Sequence, residues 1–148
     1  MLRGIFRLAF YMALIVISMC ANVYLHELGH FAVADAAGLS PSIHFMEYDH
    51  LSEVAFSAQS VPLAYVTYSI RASAIQDFIV ALAGPIVNIL LAILIAIAYM
   101  YTPLKERVSV QLAYFVLLVP TLIAIVSNLI PVAGTDGYLM FKAISSLF

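Results

Sequence analysis

Charge-free runs of largely apolar residues set the organisation of this chain: Leu8–Leu25, Phe78–Leu104 and Val108–Thr135. Each is long enough to cross the hydrocarbon core of a bilayer as a helix, which takes about 20 residues. Helix signals extend the first run through "HELGH" to about residue 37, where Gly38 and then Pro41 stop it. The second opens near Ile75 and closes at Tyr101, before Thr102 and Pro103. The third starts near Val110 and meets Pro120, Pro131, Gly134 and Gly137, so its far half is expected to be broken or partly unwound. Irregular backbone at membrane depth survives only where protein buries it or it lines a wet cavity, which marks 128–137 as a candidate site. The pattern thus predicts spans over about 5–37, 75–101 and 110–131 and a short C-terminal helix over 136–147.

Between the first two spans lies the one sizeable polar piece, Ser40 to Ser73. Its segments "SIHFMEY", "SEVAFSAQS" and "PLAYVTYSI" are rich in β-branched and aromatic residues and partly alternate, which predicts two or three short strands within 41–70. The expected fold is an all-α polytopic membrane protein. It has three transmembrane helices, a short strand-containing segment on the membrane surface between the first and second, and one domain over 1–148. Counting spans puts the N-terminus and the 102–109 loop on one side, A, and the 40–74 segment and the C-terminus on the other, B. Eighteen residues of helix from Leu8 travel roughly 27 Å, which brings His26 to side B. Asp136 closes the third run on that same side.

Composition supports lipid as the solvent. Of 148 residues, 65% are hydrophobic and 9% charged, where a soluble domain averages about 45–50% and about 25%. A net charge of −2 from so few ionisable residues leaves no basic stripe for nucleic acid. Cys20 is the single cysteine, which excludes an intramolecular disulfide and suits simple packing in its apolar run. The stretch "MLRGIFRLAFYMALIVISMCAN" has the arginines, apolar region and small residues of a secretory signal peptide. Its apolar region is overlong for one, and the stretch reads as an anchor.

The chemistry concentrates where the first run ends. His26 and His30, four apart on a helix, project from one face a turn apart, the spacing that lets two imidazoles reach one zinc ion. Glu27 beside them is placed to handle a metal-activated water. Ionisable residues in membrane segments are costly and mark function, although a helix end merely wetted at the interface is the blander reading. A catalytic zinc usually has three protein ligands and an open position. Candidates for the third are Asp35, His44, Glu47, Asp49, His50, Glu53, Asp77 and Asp136. Asp136 stands out as the one acid in the apolar "VSNLIPVAGTDGYLM". His44 and His50 read as surface residues of the strand segment, and Asp35 and Asp77 as helix-end residues facing water.

His26-Glu27-Leu28-Gly29-His30, Ala83-Gly84-Pro85-Ile86-Val87-Asn88, and Asn128-Leu129-Ile130-Pro131 followed by Thr135-Asp136-Gly137 together resemble the site-2 protease family of intramembrane zinc metalloproteases. The resemblance spans essentially the whole chain, which looks like the family's minimal three-helix catalytic core. It implies zinc held by His26, His30 and Asp136, with Glu27 as general base. It also favours Asn88 and Asn128 as contacts to substrate backbone or to a developing oxyanion. An interhelical hydrogen bond is the alternative for either amide. Gly84 and Pro85 permit close helix approach and a kink. The chain departs from the family at Asn128-Leu129, where Asn-Pro is usual, and at Thr135, where leucine is usual. The charged and polar positions are intact.

The implied reaction is peptide hydrolysis within a transmembrane segment of a protein substrate. That segment must unwind locally, and Ser42–Ile70 could pair edge-on with it once extended. Other readings are a zinc-binding carrier or chaperone without peptidase activity, and a structural three-helix subunit; an intact Glu27 and a matched Asp136 count against them. A homo-oligomer stays open as a partner. Arg3, Arg7, Lys105 and Arg107 lie on side A, against Arg71 and Lys142 on side B. The positive-inside rule would put side A in the cytoplasm. The family places its zinc nearer the cytoplasmic face, and the reading adopted follows the family, in the cell membrane of a prokaryote.

Overall fold

The computed structural model describes residues 2–45 and 64–148. The elements run α1 (Leu2–Ala36), β1 (Pro41–Phe45), β2 (Ala64–Tyr68), α2 (Ala74–Tyr101), α3 (Val108–Leu129) and α4 (Asp136–Ser145). Three of these helices, α1, α2 and α3, are long and apolar enough to cross a membrane. Of the expected strands, the first and last are present and pair antiparallel, with Ile43 opposite Val66. The middle segment, with Glu47, Asp49, His50 and Glu53, lies outside the described residues.

α1 ends as a Schellman motif. Gly38 takes a left-handed φ of 73°, its N–H donates to Asp35 O (2.9 Å), and Leu39 N–H donates to Ala34 O (3.0 Å). The contact that accompanies this motif is present: Leu39 and Ala34 are fully buried and pack with Val80 of α2. The helix stop therefore also docks the start of the hairpin onto α2. A capping box opens α2, with Ser73 and Gln76 bonding each other's backbone N–H. Gln76 Nε2 also donates to Ala37 O at 3.4 Å. Tyr68 of β2 donates its hydroxyl to the Asp77 carboxylate. Burial first, and then that carboxylate, push the Tyr68 hydroxyl well above the usual tyrosine range, so it stays a donor at any physiological pH.

Many polar residues are buried and many large apolar ones exposed, the reverse of a soluble bundle. Ser18, Asn22, His26, Glu27, His30, Asn88, Thr121 and Asp136 are buried, while Phe6, Leu8, Leu94, Phe115 and Ile123 are exposed. In lipid, apolar side chains gain nothing by turning inward, and polar groups must find partners within the protein. On α1 every fourth residue from Ser18 to Ala34 is buried. The lower part of this stripe meets α3: Asn22 Nδ2 donates to Thr121 Oγ1 (3.0 Å), and Ser18 Oγ to Leu117 O (3.2 Å). One departure from the sequence expectation follows. α3 runs unbroken through Pro120 to Leu129. In the turn before Pro120 the hydroxyls of Ser18 and Thr121 both donate to Leu117 O. The break falls after Leu129, inside the 128–137 stretch where the sequence expects irregular backbone.

Candidate metal centre

The upper part of the α1 stripe carries His26 and His30 onto α2, and small residues let the helices close. A methyl group built on Gly29 would stand 2.8 Å from Val87 Cγ2 and 3.0 Å from Ala83 O. At Gly84 the approach is to the imidazoles themselves: a methyl there would lie 2.5 Å from His30 Nε2 and 2.6 Å from His26 Nε2. Glycine is required because the rings occupy the space a side chain would take.

Asp136 arrives from the other end of the chain. After α3 stops at Leu129, the chain turns through Gly134 (φ 93°) and re-enters a helix at Asp136. Thr135 closes this turn. Its hydroxyl lies 2.5 Å from Ile130 O and 2.8 Å from Val132 O as donor, and accepts from Tyr138 N–H as the N-cap of α4. Gly137 packs directly on the Leu129 carbonyl. The carboxylate thus sits in the first turn of a helix, where the macrodipole favours negative charge.

The three side chains converge. His26 Nε2 and His30 Nε2 are 3.1 Å apart, His26 Nε2 is 2.8 Å from Asp136 Oδ2, and His30 Nε2 is 3.2 Å from Asp136 Oδ1. Despite the 2.8 Å approach, Oδ2 is buried with no aligned hydrogen-bond donor. Ligand atoms on a tetrahedral zinc, with bonds of about 2.0–2.1 Å, lie roughly 3.3 Å from one another. Ligand atoms gathered at nearly that spacing, with Asp136 Oδ2 left without a donor, fit a shared cation, and two imidazoles with one carboxylate suit zinc. Among the described residues these are the three that could hold a metal together.

Glu27 is buried beside them, in the electrostatic surroundings of His30, His26 and Asp136. The outward nitrogens of both rings are engaged: His30 Nδ1 lies 2.6 Å from Val80 O, and His26 Nδ1 lies 3.1 Å from the Asn88 carboxamide. Asn88 is 1% exposed. Asn128, in the last turn of α3, is half-buried and takes no part in these hydrogen bonds. The remaining described candidates lie elsewhere. His44 stacks on Tyr65 and meets Thr67 across the hairpin, Asp35 is exposed at the end of α1, and Asp77 holds Tyr68. Sequence reasoning missed the Ser18–Asn22–Thr121 contact and the cap at Thr135. The four-residue spacing of Ser18, Asn22, His26 and His30 was the signal for the first.

Comparison with curated proteins and with solved structures gives no match in either case. The family model for peptidase family M50 matches residues 13–109. That interval takes in His26, Glu27, His30, Gly84 and Asn88 and stops short of Asp136. With most of the chain matched, and with three apolar helices to carry it through a membrane, this integral membrane protein belongs to peptidase family M50, the site-2 protease family of metalloproteases.

Proposed function

We propose that this chain is a zinc-dependent intramembrane endopeptidase that cuts a transmembrane segment of a membrane-protein substrate. In this reading His26, His30 and Asp136 are the metal ligands and Glu27 is the general base. The observation that carries it is the meeting of two imidazole nitrogens and a carboxylate, with Asp136 Oδ2 buried and lacking a donor 2.8 Å from His26 Nε2. When bound, zinc supplies Lewis acidity that lowers the pKa of a water and polarises the scissile carbonyl. Glu27 accepts the proton of the attacking water and passes it to the leaving amine. Its burial beside the ligands keeps that transfer out of bulk water. In this reading the site lies on side B, toward the cytoplasm, as in the family's usual arrangement.

The test is zinc content and cleavage for the detergent-purified chain, with single-span membrane proteins as substrates. Wild type and Glu27→Gln should each hold one zinc, and Asp136→Ala little. Cleavage by Glu27→Gln should fall by about 10²–10⁴, the usual contribution of a positioned general base. Zinc retained by Asp136→Ala would remove that residue from the ligand set. Full cleavage by Glu27→Gln would remove the proposed base. A chain that binds zinc but cleaves nothing in any form would be a carrier or chaperone.

A further inference from the structure

Both histidines turn their Nδ1 atoms toward α2, and α2 answers with a register of its own. Val80, Gly84 and Asn88 follow one another at the four-residue spacing that His26 and His30 have on α1. The helices run in opposite directions, so Val80 faces His30, Asn88 faces His26, and Gly84 touches both rings.

The two partners differ in what they can do. A backbone carbonyl only accepts, so Val80 O requires the proton of His30 on Nδ1 and leaves the Nε2 lone pair for the centre. A carboxamide can donate or accept. With Asn88 Nδ2 toward the ring, as found at 3.1 Å, Nδ1 of His26 accepts and its proton sits on Nε2, directed at His30 Nε2 3.1 Å away. This chain of hydrogen bonds serves a metal-free centre, and it leaves Asn88 Oδ1 buried without a donor. A cation that uses the Nε2 lone pair moves the proton of His26 to Nδ1. The group facing Nδ1 must then accept, and a half-turn of the Asn88 carboxamide brings Oδ1 there.

We infer that Asn88 is a positioning residue of the metal centre: its carboxamide oxygen accepts from His26 Nδ1–H and holds Nε2 as the ligand atom, as Val80 O does for His30. α2 then supplies the outer hydrogen bonds of both imidazoles, one from an invariant backbone group and one from a replaceable side chain. The inference rests on the zinc reading above. It spends the buried Asn88 amide on a ligand rather than on substrate.

The test uses the full chain in detergent and reads the zinc dissociation constant by chelator competition, with the zinc-free melting temperature as a control for folding. Asn88→Leu removes the acceptor, and loss of such an outer partner weakens metal binding by about 10–100-fold. Asn88→Asp is nearly isosteric and, ionised, can only accept; it should bind zinc within about threefold of wild type or more tightly. Zinc held by Asn88→Leu as tightly as by wild type overturns the inference. So does a loss of about tenfold or more in Asn88→Asp, which would make donation the essential role, and this variant decides the matter if the leucine variant fails to fold. Either result with zinc-replete wild type leaves the metal site standing. Wild type that binds no zinc overturns the zinc reading and this inference together.

Discussion

Gly84 is the residue on which both candidate ligand imidazoles close. The sequence reading made it a point of close helix approach; the neighbours that approach are the two imidazoles, at 2.5–2.6 Å from the position of a methyl group. The surrounding rings are held by Val80 O and Asn88. Gly84→Ala should therefore destabilise the fold by about 1–3 kcal/mol, as overpacking does, and should strip zinc from the purified protein. Gly4→Ala is the control, because nothing lies within 4 Å of its added methyl group. Helix propensity makes it neutral or stabilising by up to about 1 kcal/mol. Melting temperature and zinc content of the two variants check both outcomes. An alanine at 84 that keeps zinc would show that the helices can part at no great cost.

The turn between α3 and α4 decides whether Asp136 reaches the histidines. Thr135 stands where the family usually has leucine, and its hydroxyl makes the contacts that shape this turn. Thr135→Val keeps size and branching but removes the cap, which should cost about 1 kcal/mol. Its zinc affinity should fall with it, because the first turn of α4 carries the ligand. Thr135→Ser should restore both. Chelator competition on the three proteins checks this, and a valine variant with unchanged affinity would mean that Gly134 and Gly137 shape the turn without help. At this scale the sequence was partly legible. Gly38, Ser73 and Thr102 mark helix ends through chemistry local to each end, and those ends fall close to where the pattern puts them. Pro120 misleads: α3 stays helical through it, and the contact of Ser18 with that turn comes from far away in the chain.

For the molecule as a whole, the open choice is which way the centre faces. Basic residues favour side A in the cytoplasm, and the family arrangement adopted here favours side B. With Cys20 replaced by serine, Lys105→Cys and Lys142→Cys report on opposite sides, and both lysines are exposed. The adopted reading expects an impermeant maleimide to label position 105 in intact cells and position 142 only after lysis. The opposite pattern would return the molecule to the positive-inside orientation.

Solvent class, helix count and the likeness of His26, Glu27 and His30 to a zinc motif were all determined by sequence alone, because each depends on residues close together in the chain. Long apolar runs can satisfy their backbone in lipid only as helices, and a spacing of four aligns two side chains on one helix face. Asp136 was singled out by the cost of an isolated carboxylate at membrane depth, but its distance from the histidines belongs to the tertiary structure. So do the pairing of Asn88 with His26, the ring contacts of Gly84, and the Asn22–Thr121 bond. Each depends on how two helices distant in sequence are set in register. In lipid that register follows from small residues and buried hydrogen bonds rather than from apolar patterning, which has no direction to point when the exposed faces of the spans are already in oil.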